Sequence, residues 1–216
     1  MEPTIVHLLR HGQVENPNRV LYGRLPGYHL SELGRRMADR VAEDLAGTAL
    51  THLRCSPLER AQETMAPVAA RHPGLEVVTD ERVIEADNVF AGSVFAGSYR
   101  ALLDPRRWWH LRNPLVPSWG EPYREIVARM LPAVLDAADA AGEGGQALVV
   151  SHQLPIWTVR SYAEGRRLAH DPRRRQCTLA SITSLHVLNG QVVQVDYREP
   201  CQDLLPQKTT KFVAGS

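Results

Sequence analysis

Cysteine is scarce in this chain of 216 residues, with only Cys55, Cys177 and Cys201 present. An odd number without Cys-x-x-Cys spacing excludes a disulfide framework, a zinc ribbon and a redox pair, and predicts three free thiols. An excess of one charge sign is also missing: Lys and Arg number 25 against 24 Asp and Glu, a formal charge of +1. No global basic field of the kind that drives non-specific nucleic-acid binding can arise from that balance, so any anion site must be local. Long apolar runs are absent as well, since Arg, Asp or Glu interrupts every one of them. Met1-Glu2-Pro3-Thr4 enters a strand-like segment without a basic leader. These absences predict a cytoplasmic protein that neither spans a membrane nor partners with nucleic acid. Oligomeric state has no signature in the sequence. What is present is ordinary, 44% hydrophobic and 23% charged residues, the composition of a globular domain able to bury roughly 70% of its unfolded surface without metal or disulfide.

Short apolar runs with polar tips organise the chain. Ile5 to Leu9 has strand length and stops at Arg10-His11-Gly12, as a buried strand does when it delivers polar groups at its end. Ala147 to Ser151 repeats the arrangement and is tipped by His152. Leu50 to Cys55 is a third strand candidate and Val77-Val78 a short fourth. Ser31 caps a helix with Leu33, Met37, Val41 and Leu45 at helical spacing. Ser56-Pro57-Leu58-Glu59 combines a capping serine, a proline at the first helical position and a capping-box glutamate, predicting a helix that starts at once. Glu121 to Ala141 and Pro155 to Ala163 are helical by pattern, and Asn189-Gly190 between apolar runs signals a hairpin. Alternating strands and helices predict an α/β protein, a three-layer α/β/α sandwich with a mostly parallel central sheet. One domain should cover residues 1–205, with a lid-like insertion at about 86–120 and a flexible tail at 206–216.

In such a sheet ligands bind at the C-terminal ends of the strands, so Arg10, His11 and His152 should meet. Arg60 projects from a helix N-terminus after a third strand, where backbone N–H groups and the dipole already favour an anion. Two arginines and two histidines around one point form a phosphate pocket.

Three blocks, Leu8-Leu9-Arg10-His11-Gly12, Ser56-Pro57-Leu58-Glu59-Arg60-Ala61-Gln62-Glu63-Thr64 and Val149-Val150-Ser151-His152, occur in an order that resembles the histidine phosphatase superfamily, also called phosphoglycerate mutase-like. The resemblance spans about residues 4–196, with Leu30-Ser31-Glu32-Leu33-Gly34 and Gly120-Glu121 as supporting matches. It implies a phosphomonoesterase of the histidine acid phosphatase type, independent of metal and cofactor, acting on a small phosphorylated substrate. His11 would attack phosphorus and become a phosphohistidine. Arg10, Arg60 and His152 would hold the phosphoryl oxygens, the arginines doing what magnesium does elsewhere. Glu85, by family position, would protonate the leaving oxygen, with Asp87 as the alternative. Asn16 lies near the position of a family phosphate-contacting asparagine. Gln153 replaces the glycine that commonly follows the second histidine, which keeps the backbone N–H and narrows the pocket. Tyr22 and Gly23 stand in the substrate loop where the family's mutases carry Thr-Gly, which weakens a sugar-acid phosphate as substrate. The alternatives are phosphoglycerate mutase-type transfer and a catalytically silent protein that binds phospho-ligands.

His7, His29, His52, His72, His110, His170 and His186 lack a partner pattern and are read as surface or core residues rather than metal ligands. The run Arg173-Arg174-Arg175, with Arg166-Arg167, is read as a solvated face or the rim of an anionic-substrate site. Trp108-Trp109 beside Arg106-Arg107 either packs under the lid or stacks on substrate.

Overall fold

The computed structural model describes residues 2–93 and 120–205. Six strands form one sheet: β1 (Thr4–Arg10), β2 (Leu50–Cys55), β3 (Val77–Thr79), β4 (Gln146–Ser151), β5 (Ile182–Leu188) and β6 (Gln191–Arg198). Their order is β3-β2-β4-β1-β5-β6, with the first four mutually parallel, β5 antiparallel to β1, and β6 antiparallel to β5. The hairpin at Asn189-Gly190 takes positive φ at both residues, 51° and 72°, the conformation that makes Asn-Gly a tight hairpin turn.

Four helices of the described residues cover the two faces: α1 (Glu32–Asp44), α2 (Glu59–Arg71), α3 (Tyr123–Ala141) and α4 (Gln153–Ala163). Alternation along the strands explains the layering. Val6, Leu8, Ala147 and Val149 face a core built with Ile126, Met130 and Val134 of α3 and Ile156 and Val159 of α4. Leu9, Leu148 and Val150 face the opposite core, made by Met37 and Val41 of α1 and Ala61, Met65 and Val68 of α2. This is the three-layer α/β/α arrangement the sequence predicts. Among the described residues no helix is long and apolar enough to cross a membrane. Cys55, Cys177 and Cys201 are buried free thiols.

Three helix starts differ from the sequence reading, among them that of α4, which begins at Gln153 and not at Pro155. Helix α2 begins at Glu59, with Leu58 at its N-cap and no side-chain cap. The Ser56 hydroxyl, expected to cap it, is used by His152 instead. Helix α3 starts at Tyr123, two residues late, because Pro122 takes the N-cap position. The expected insertion at 86–120 falls mostly on residues 94–119, outside the described residues, as do Trp108, Trp109 and the tail from residue 206. Its base is described: Asn88 bridges to Gly120, and Leu21 exchanges backbone hydrogen bonds with Gly92 and Ser93 at 2.9 Å each.

Candidate active site

Register alone brings three strand tips together. Arg10 of β1 pairs with Ser151 of β4, and the His11 N–H continues the ladder to the Ser151 carbonyl at 3.2 Å. The two histidines that follow lie side by side, ring centroids 5.1 Å apart and tilted by 57°. On the other side of β4 the Ser56 N–H reaches the Val150 carbonyl at 3.0 Å, so the turn into α2 joins the same edge. Gly12 lets the chain leave β1 tightly against α1, since a Cβ there would lie 2.6 Å from the Gly34 carbonyl oxygen. Its N–H is held by the Thr64 hydroxyl at 3.1 Å, which ties the His11 turn to α2.

The four side chains are withdrawn from water, Arg60 and His152 fully and His11 and Arg10 to 2% and 3% exposure. His11 donates through Nδ1 to the Gly12 carbonyl at 2.8 Å, and a carbonyl can only accept. The neutral ring therefore carries its lone pair on Nε2. Burial, with Arg60 and Arg10 beside it, holds its pKa well below the usual 6.5. His152 is likewise held well below 6.5 by burial, then by His11, Arg60 and Arg10. The Ser56 hydroxyl accepts the Leu58 N–H at 3.4 Å and is hydrogen-bonded to His152 Nε2 at 2.8 Å. The other ring nitrogen of His152, Nδ1, is buried and without a partner among the described residues.

Each arginine is anchored at one corner of its fork. Arg10 Nη1 donates to the Cys177 carbonyl at 2.8 Å, and Arg60 Nη2 donates to the Gly23 carbonyl at 2.6 Å. Arg60 also lies 4.8 Å from the centroid of the Tyr22 ring. Arg10 Nε and Arg60 Nε and Nη1 are buried and unpartnered. Buried N–H groups without acceptors are costly, and here three of them, on two arginines, lie with the unpartnered His152 Nδ1 around His11. An oxyanion with several acceptor oxygens satisfies all of them at once.

Glu85 lies on a segment clamped from several directions. Ser151 Oγ donates to the Val83 carbonyl at 2.7 Å. Arg129 Nη1 donates to the Arg82 and Ile84 carbonyls at 2.6 and 2.8 Å, and Arg24 Nε donates to the Glu85 carbonyl at 2.7 Å. Glu121 pairs with both of those arginines, at 2.6 Å to Arg129 Nε and 2.8 Å to Arg24 Nη2. The Glu85 carboxylate takes the Ala86 N–H at 2.8 Å and acts electrostatically on Arg60, Tyr22 and Arg175. Asp87 is exposed and takes the Asn88 N–H at 2.8 Å.

The sequence pattern of the histidine phosphatase superfamily (branch 1) matches residues 6–199. The chain belongs to this superfamily. A relative named "Uncharacterized protein Rv0525", of Mycobacterium tuberculosis, is 53% identical over 92% of this chain and 98% of its own length. One named "Probable phosphoglycerate mutase GpmB", of Yersinia enterocolitica, is 30% identical over 82% of this chain and 83% of its own. Among solved structures, a mycobacterial glucosyl-3-phosphoglycerate phosphatase superposes with a TM-score of 0.70 at 26% identity, covering 90% of this chain and 95% of that one.

In this member of the superfamily, then, Arg10, His11, Arg60 and His152 are gathered, and Glu85 acts electrostatically on Arg60 from beside them. Tyr22 and Gly23 are placed against Arg60, as its ring support and its carbonyl anchor. Asn16 spends its amide within its own loop, Nδ2 on the Val20 carbonyl and Oδ1 on the Val20 N–H, at 2.8 and 2.9 Å. Gln153 bridges, its Nε2 donating to the Cys177 carbonyl at 3.2 Å and its Oε1 accepting from Arg175 at 3.3 Å. Sequence reasoning missed Ser56 as the group that orients His152, because a serine before proline also fits a helix cap. It missed Arg24 and Arg129 too, which no local pattern distinguishes from surface arginines.

Proposed function

We propose that this histidine phosphatase hydrolyses a small phosphate monoester through a phosphohistidine on His11, without a metal or cofactor. The observation that carries the reading is the set of unpartnered buried donors on Arg10 and Arg60, with the unpartnered His152 Nδ1, around a histidine whose free lone pair is on Nε2. In the first step that lone pair forms an N–P bond as the bond from phosphorus to the leaving oxygen breaks. Glu85 supplies the proton that the leaving oxygen needs, and the Gly12 carbonyl, bonded to Nδ1–H, stabilises the positive ring. In the second step water attacks phosphorus, gives its proton to the Glu85 carboxylate and restores neutral His11. The guanidinium forks supply the charge neutralisation that a divalent ion supplies in other phosphoryl transfers, so chelators should leave the rate unchanged.

The same residues would serve a mutase, and relatives carry both kinds of name. Hydrolysis is favoured because Tyr22, buried beside Arg60, puts a bulky ring where the family's mutases carry a small threonine, which takes up the room a sugar acid would need there. The test measures both products in one reaction supplied with 2- or 3-phosphoglycerate as acceptor and substrate. Free phosphate released at the rate of substrate loss supports hydrolysis. Stoichiometric phosphoglycerate interconversion with negligible phosphate release would overturn it while leaving the phosphohistidine intact.

A further inference from the structure

Of the three consecutive arginines at 173–175, one differs from its neighbours. Arg173 is tied to Asp171 at 3.0 Å on the surface, and Arg174 is exposed. Arg175 is turned inward and held by neutral partners. Its Nε donates to His170 Nε2 at 2.8 Å and its Nη1 to Gln153 Oε1 at 3.3 Å. His170 can accept because its own Nδ1–H is donated to the Leu168 carbonyl at 2.5 Å. The imidazole is wedged between the Tyr123 and Trp157 rings, with centroids 5.3 and 5.8 Å away. This is a built mount for a guanidinium, and among the described residues no carboxylate pairs with it.

The mount adjoins the proposed phosphate clamp through a shared carbonyl. Gln153, which holds Arg175, also donates to the Cys177 carbonyl that anchors Arg10. Burial lowers the Arg175 pKa, Tyr123 and Glu85 counter that effect, and Arg10 adds to it, so the side chain lies within electrostatic reach of both the phosphate clamp and the acid. The acid marks the leaving-group side. Glu85 acts on Arg175 through its charge alone, with no ion pair between them among the described residues. Arg24, also beside Glu85, is already neutralised by Glu121 at 2.8 Å.

We propose that Arg175, mounted on His170 and Gln153, forms a second anion subsite that binds a carboxylate or phosphate carried by the leaving group, so that the substrate is a phosphomonoester with a further negative group. The proposal rests on the phosphatase reading for the identity of the leaving-group side. A forked guanidinium recognises either anion through paired N–H groups, and Arg175 Nη2 takes no partner among the described residues.

The test is calorimetric binding of non-hydrolysable analogues: benzylphosphonate, its 3- and 4-carboxy derivatives, and the corresponding diphosphonate, to wild type, Arg175→Gln and Arg175→Lys. One carboxy or phosphono derivative should bind wild type about tenfold or more tightly than benzylphosphonate, the scale of a charge-assisted hydrogen bond. Arg175→Gln should remove that preference and Arg175→Lys keep part of it, with benzylphosphonate itself unchanged within about twofold. The carboxy and diphosphono arms tell which anion the subsite takes. Equal binding of all analogues by wild type, or an equal loss for all of them in Arg175→Gln, overturns the subsite. Binding needs no turnover, so a preference found in an enzyme that hydrolyses no phosphate ester would sink the phosphatase reading alone. Failure of every analogue to bind would sink both.

Discussion

His11 keeps its proton on Nδ1 because the Gly12 carbonyl faces that nitrogen, and this one hydrogen bond leaves Nε2 as the end of the ring that would meet phosphorus in the proposed reaction. Glu85 is the complementary group, and its importance should scale with the basicity of the leaving oxygen. Glu85→Gln should slow turnover of alkyl phosphates by about 10²–10⁴-fold, the range of general acid catalysis, and activated aryl phosphates far less. Steady-state rates on an alkyl and an aryl ester check this: equal losses would mean a positioning role, and no loss would pass the acid role to Asp87. At this scale the sequence was legible where a residue type has one use at a strand tip, as for Arg10, His11 and His152. It was illegible where identical residues stand in a row, since nothing in Arg173-Arg174-Arg175 tells which of them faces inward. Ser56 shows a third case, in which two physical roles suit one residue and only the proximity of His152, at 2.8 Å, decides between them.

At the scale of elements, the exit from β1 is set by two glycines in mutual contact. A Cβ on Gly34 would come 2.0 Å from the Gln13 carbonyl oxygen, and one on Gly12 2.6 Å from that of Gly34. Backbone must move to admit either. Gly34→Ala should therefore cost about 3 kcal/mol, a fall in Tm of roughly 6–12 °C, and displace His11 enough to lower activity. Gly47→Ala, at a site with open space, should change neither, and thermal melts of both variants make the comparison. The strands and the Asn189-Gly190 hairpin were readable because apolar runs and turn residues act locally. The clamp on residues 82–87 was not, because Arg24 is distant in sequence from Glu121 and Arg129, and the three come to this segment only when α3 packs beside the sheet.

The whole molecule stores its function as two buried histidines and two buried arginines that add little to stability on their own, since each charge or polar atom is removed from water without full compensation. Because folding holds His11 and His152 well below the unfolded value of 6.5, the unfolded chain binds protons first as pH falls. Stability is thus full above 6.5 and declines below it, by up to about 1.4 kcal/mol per pH unit for each histidine until its folded pKa is reached. Asp80 adds a second loss in stronger acid. Burial opposes its charge, but bonds from Arg82 and Arg54 hold it at about 2 against an ordinary 3.8, so that contribution disappears as pH falls through this range. Urea unfolding across a pH series measures both phases, and a flat profile between neutral pH and 5 would contradict neutral histidines. The central claim is the covalent bond to His11, and the most direct test is to quench the reaction with labelled substrate and map the labelled peptide. The account predicts label on the peptide containing His11, stable in base, lost in acid and absent in His11→Ala. Label that survives acid, or that persists in His11→Ala, would contradict it.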